Sequence, residues 1–62
     1  MNRIKQILNE QGRSQAWLAL KIGRSYVVTT NYCNNKTQPS IAILRKMAAA
    51  LDVDVKELIS ST

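Results

Sequence analysis

Residues able to perform acid–base, nucleophilic or metal chemistry are scarce in this chain. It holds no histidine, one cysteine (Cys33) and four carboxylates, Glu10, Asp52, Asp54 and Glu57. A Cys/His zinc site is excluded, no Gly-rich phosphate loop exists, and the carboxylates show no pairing beyond a helix cap, so an enzyme is not expected. What the chain offers instead is positive charge. Residues 1–51 hold eight Lys/Arg against Glu10 alone, or +7, whereas residues 52–62 hold Lys56 against three acids, or −2. A basic body attracts polyanions, of which nucleic acid is the commonest. Beside the charge stands a stretch of another kind. Tyr26 to Cys33, YVVTTNYC, mixes neutral hydrogen-bonding side chains with apolar ones.

The elements that position these residues follow from spacing and caps. Sixty-two residues allow one domain, 1–62, which buries only about 60% of its unfolded surface. One cysteine forms no internal disulfide, and a lone thiol suits a reducing compartment. No apolar run approaches the roughly 20 residues of a membrane span, and MNRIKQ lacks a signal-peptide core. A cytoplasmic, soluble protein without cofactor, metal or evident small-molecule ligand is expected.

Five helices are predicted, over about 2–11, 15–22, 25–33, 41–51 and 55–60. Asn2 is placed to cap the first, whose apolar stripe is Ile4, Ile7 and Leu8, and Gly12 to end it. Ser14 caps the second, where Leu18 and Ile22 share a face and Trp17 lies at the core edge. Gly23 makes a sharp exit and permits close backbone approach. Ser25 caps the third. Its run of Val27, Val28, Thr29 and Thr30 has poor helix propensity and would read as a strand in isolation. No other segment could pair with such a strand, so helix is the reading kept. After a polar turn at Asn34–Pro39, Ser40 caps a fourth helix with Ile41, Leu44, Met47, Ala48 and Leu51 inward. Asp54 and Glu57 form a capping box opening a short helix whose apolar face is Val55, Leu58 and Ile59.

Helix, glycine turn and capped polar helix from Ser14 to Asn34 are the layout of a helix-turn-helix. With Ser14-Gln15, Leu18-Ala19, Ile22-Gly23, Ser25, Tyr32, Pro39-Ser40, Leu44, Met47-Ala48, Leu51, Val53 and Leu58, the sequence resembles the Cro/C1-repressor (XRE) family from about residue 4 to 59. The resemblance implies an all-α, five-helix, lambda-repressor-like domain with Leu18, Ala19, Ile22, Gly23 and Tyr32 buried. Three positions depart from the family pattern. Arg24 fills a usually apolar turn position, which frees it to reach a phosphate. Thr29 fills a core position usually held by Ile or Val, so its hydroxyl needs the backbone carbonyl one turn back. Cys33, facing Leu8, replaces a family ion pair with an apolar contact.

Carried over position by position, the family's mechanism makes Tyr26, Val27, Thr30 and Asn31 the base-reading candidates in a major groove. Ser14, Gln15, Arg24, Asn34 and Lys36 become the phosphate-binding candidates. The implied function is a sequence-specific double-stranded DNA-binding transcriptional regulator. A repressor acting as a homodimer on a palindromic operator is expected, joined through the fourth and fifth helices with Val55 and Ile59. A different reading makes the domain a protein-binding module, such as an antitoxin or antirepressor partner, with an incidental basic face. RNA binding has no support, since the aromatics form no stacking platform.

Overall fold

The computed structural model describes residues 2–59. Five helices follow in order: α1 (Ile4–Gln11), α2 (Gln15–Ile22), α3 (Tyr26–Cys33), α4 (Ile41–Leu51) and α5 (Val55–Leu58). Among the described residues the only extended pairing is a single antiparallel bridge between Asn2 and Ile59. The architecture is therefore all-α.

Short helices of this kind are marginal alone and depend on caps and on a buried face. Ser14, Ser25 and Ser40 each accept a hydrogen bond from the backbone N–H three residues on, at 3.0, 3.1 and 3.3 Å. Each removes one orphan donor of a helix start, worth about 1 kcal/mol. Asp54 and Glu57 close the expected capping box. Gly12 and Gly23 end α1 and α2 at φ +68° and +69°. A Cβ at Gly23 would meet no atom within 4 Å, so the positive φ, and not close backbone approach, is what calls for glycine there.

The core is drawn from all five helices. Ile4, Leu8, Leu18, Ile22, Met47, Leu51 and Leu58 are fully buried, at about 1.5–3 kcal/mol each. α2 packs on both α3 and α4, and α4 holds α5. On α4 the buried row is Ile43, Met47 and Leu51, one turn apart, flanked by Leu44 and Ala48. Ile41, expected inward, is mostly exposed. The stripe is centred on the row that includes Ile43, which turns Ile41 toward solvent in the first helical turn.

Three helix bounds differ from the sequence reading. α1 begins at Ile4, because Asn2 and Arg3 are extended or irregular. The Asn2 carboxamide oxygen still accepts from the Ile4 N–H, at 3.2 Å, although Arg3 occupies the cap position. Ser25 is a cap and not a helical residue, so α3 begins at Tyr26. α5 stops at Leu58, since Ile59 is extended and bridges Asn2; the expected last residue, 60, lies outside the described residues.

Asn2 earns more than a cap's place. Its N–H donates to Asn35 Oδ1 at 2.8 Å, and its Nδ2 donates to the Tyr32 carbonyl at 2.8 Å and to Gln38 Oε1 at 3.0 Å. Next to it, the Arg3 N–H donates to the Leu58 carbonyl at 2.8 Å. The first residues thus tie the end of α5 to the loop that leaves α3. A second tie, Gln11 Nε2 to the Leu51 carbonyl at 2.8 Å, joins the ends of α1 and α4.

Candidate nucleic-acid interface

The frame of the site is the α2–turn–α3 unit. At its turn, the Arg24 N–H reaches back to the Ala19 carbonyl at 3.1 Å, closing the helix end over Gly23. α3 follows at once under its Ser25 cap. Its β-branched run stays helical because tertiary contacts outweigh propensity. Thr29, with no exposed surface, and Cys33 face the core, and Thr29 Oγ1 donates to the Ser25 carbonyl at 2.9 Å, one turn back. Among the described residues no buried side-chain nitrogen or oxygen lacks a partner. Two residues are less enclosed than expected: Tyr32 is half-buried against the core, and Gly23 is exposed, because its positive-φ turn projects from the helix end.

The outer face of α3 carries no Lys, Arg, Asp or Glu. Tyr26 and Val27 project at its N-terminal end, 57% and 67% exposed. Asn31 stands one turn after Val27, half-buried. Its backbone carbonyl accepts from the Lys36 and Thr37 N–H groups at 3.0 and 3.4 Å, which folds the following loop back against the helix. Its carboxamide is unspent among the described residues and can both donate and accept. Thr30 is different: its hydroxyl donates to Gln15 Oε1 at 2.9 Å, a bond across the motif that helix spacing alone does not reveal.

The other anchoring candidates surround this face. Ser14 is exposed but its hydroxyl oxygen serves the Trp17 N–H. Gln15 is half-buried at the first position of α2. Arg24 is exposed, and its Nη1 donates to the Gly23 carbonyl at 3.4 Å. Asn34 caps the end of α3, its N–H donating to the Thr30 carbonyl at 2.9 Å. Lys36 is exposed in the loop, whose course is fixed by Asn35 in the left-handed region at φ 61° and by the Asn2 contacts.

Sequence reasoning passed over two features here. Arg13 and Lys21 flank Trp17, their charged groups 4.4 and 5.7 Å from its ring centroid, within cation–π range. The four-residue step from Trp17 to Lys21 within α2 was the available signal, whereas Arg13 precedes the helix and its approach had none. The role of Asn2 as the loop's clamp had no local signal, because these partners lie 30 and 33 residues away. Cys33 is buried, and burial raises its thiol pKa, with Lys5 pulling the other way. Among the described residues no cluster of His, Cys, Asp and Glu could hold a metal ion, and no helix is long and apolar enough to cross a membrane.

Comparison with known proteins bears on this geometry. The helix-turn-helix family model matches residues 4–58. The HTH-type transcriptional regulator SinR of Bacillus licheniformis is 43% identical over 60 residues, which are 94% of this chain and 53% of that protein. SinR of Bacillus subtilis (strain 168) is 44% identical over 59 residues, 92% of this chain and 52% of that one. The chain thus spans about half the length of these curated relatives. Among solved structures, a Bacteroides fragilis protein provisionally assigned to DNA binding superposes with a TM-score of 0.94 at 43% identity, covering 97% of both chains. The N-terminal DNA-binding domain of Bacillus subtilis SinR superposes with a TM-score of 0.81 at 38% identity, covering 97% of this chain and 88% of that one. With almost its whole described length matched in sequence and in shape, the chain belongs to the helix-turn-helix family, of the Cro/C1-repressor or XRE type.

Proposed function

We propose that the chain is a sequence-specific double-stranded DNA-binding transcriptional regulator that acts as a repressor in the cytoplasm. The observation that carries this reading is the uncharged outer face of α3, with Tyr26, Val27 and the unspent Asn31 carboxamide together, on a body of net charge +5. That face enters the major groove. Asn31 pairs with adenine through N6 and N7, Val27 meets a thymine methyl, and Tyr26 reaches a base edge or a phosphate. Ser14, Gln15, Arg24, Asn34 and Lys36 hold the flanking phosphates, which fixes register without reading sequence.

One such domain reads few base pairs, so a symmetric dimer on a palindromic site follows, with half-sites about 34 Å apart. The pairing surface is built on α4 and α5. Val55 is partly spent on the domain's own core, which leaves Ile59, 44% exposed, as the chief apolar residue there.

Selection of bound duplexes from a random pool tests the reading. Recovery of a palindrome with an adenine-containing half-site is expected. No duplex binding even at low salt would overturn it and favour a protein-binding module. Sedimentation showing one chain per duplex on the recovered site would remove the dimer alone.

A further inference from the structure

Thr30 and Asn31 are neighbours on α3, yet their polar groups stand in different states. The Thr30 hydroxyl is 2.9 Å from Gln15 Oε1, and among the described residues this is the one side-chain bond linking α2 to α3. A hydroxyl has a single proton. Once given to Gln15, it is unavailable to the N7, O6 or O4 acceptors of a base edge. Both residues are half-buried, in contrast to the exposed Tyr26 and Val27.

The consequence falls on Gln15. Its carboxamide is planar, with an accepting arm and a donating arm on opposite sides. With the accepting arm held by Thr30, the free arm is Nε2, a donor suited to an anionic oxygen. A glutamine has several rotors to freeze before it can bind anything. Here that ordering is met in the free protein, and the donor is fixed relative to α3.

We propose that Thr30 is a positioning residue, not a base reader: it orients the Gln15 amide so that Nε2 donates to a DNA phosphate. The proposal rests on the DNA-binding reading above. It also sets the register of α3 in the groove, because the phosphate grip of α2 and the reading face of α3 become one unit.

The test uses the full chain, the duplex recovered from the random pool, and a panel carrying each single base-pair change in it. Thr30→Val keeps the shape and removes the proton. Affinity should fall about three- to tenfold, as for one neutral hydrogen bond, evenly across the panel and with an unchanged salt slope. Thr30→Ser should stay within about twofold of the parent, and Thr30→Val should add nothing in a Gln15→Ala background. In the free protein, the Gln15 side-chain amide resonances should move in Thr30→Val, a change a folded but uncoupled pair would not show. A preference altered at one base pair, losses that multiply in the double variant, or unmoved amide resonances would each overturn the assignment. Absence of binding by the parent chain overturns the DNA reading and this role with it. Failure of the Thr30 role alone leaves the parent binding intact.

Discussion

The Thr29 hydroxyl donates to the Ser25 carbonyl, which already accepts the Thr29 N–H at 3.0 Å. The carbonyl is therefore satisfied twice, once by the ordinary helical bond. Removing the hydroxyl would leave no buried group unpaired, while a methyl in its place would bury apolar surface. Thr29→Val is expected to be neutral or to raise stability by up to about 1 kcal/mol, read from the urea midpoint. A loss beyond about 1 kcal/mol would mean the second bond is needed to hold a β-branched helix.

Gly23 joins the two helices at φ +69° with open space where a Cβ would stand. Substitution strains the backbone but strikes nothing. Gly23→Ala should cost about 1 kcal/mol and Gly23→Asn less, since asparagine tolerates the left-handed region. Thermal unfolding separates this from a clash, which would cost both variants heavily.

Asn31 and Lys36 are joined through the Asn31 carbonyl and the Lys36 N–H, yet their side chains should fail in opposite ways. Asn31→Ala should relax preference at one base pair by about 1–3 kcal/mol. Lys36→Ala should weaken all duplexes alike and lower the salt slope by about one. Binding to the single-change panel at two salt concentrations reads both. An unchanged sequence profile for Asn31→Ala would remove its role.

Burial pushes the Cys33 thiol above its ordinary value of 9.0, and Lys5 partly offsets this. The folded state thus holds the proton more tightly than the unfolded one. Stability from this group is fully present below 9.0 and is lost as pH rises through the higher folded value. Compared with Cys33→Val, the parent chain should lose extra stability above that pH. Below it, thiol reagents should label Cys33 only as fast as the domain opens. Prompt labelling of native protein at neutral pH would contradict the burial.

Local signals carried far in this chain. The caps at Ser14, Ser25, Ser40 and Asp54 and the glycine ends are chemistry within four residues, and the bounds of α2 and the start of α4 follow from them. The readings that moved depend on residues distant in sequence. Ile41 and Ile43 suit the periodicity almost equally, and only the tertiary core, which takes in Ile43 and leaves Ile41 exposed, chooses between them. Asn2 looks like a cap until the loop after α3 arrives beside it. Thr30 looks like part of an open helix face until Gln15, 15 residues earlier, takes its proton. The candidate site was legible as a face, but not as a set of committed and uncommitted groups.

An α3 without a formal charge divides labour within the molecule. On the proposed reading, attraction comes from lysines and arginines elsewhere, while choice among sequences rests on neutral contacts. Changing Tyr26, Val27 and Asn31 could therefore redirect the domain to a new operator while leaving its grip on the backbone intact. A lineage could inherit the holder and exchange the reader, with the inward positions of Thr29 and Cys33 kept buried through every such exchange.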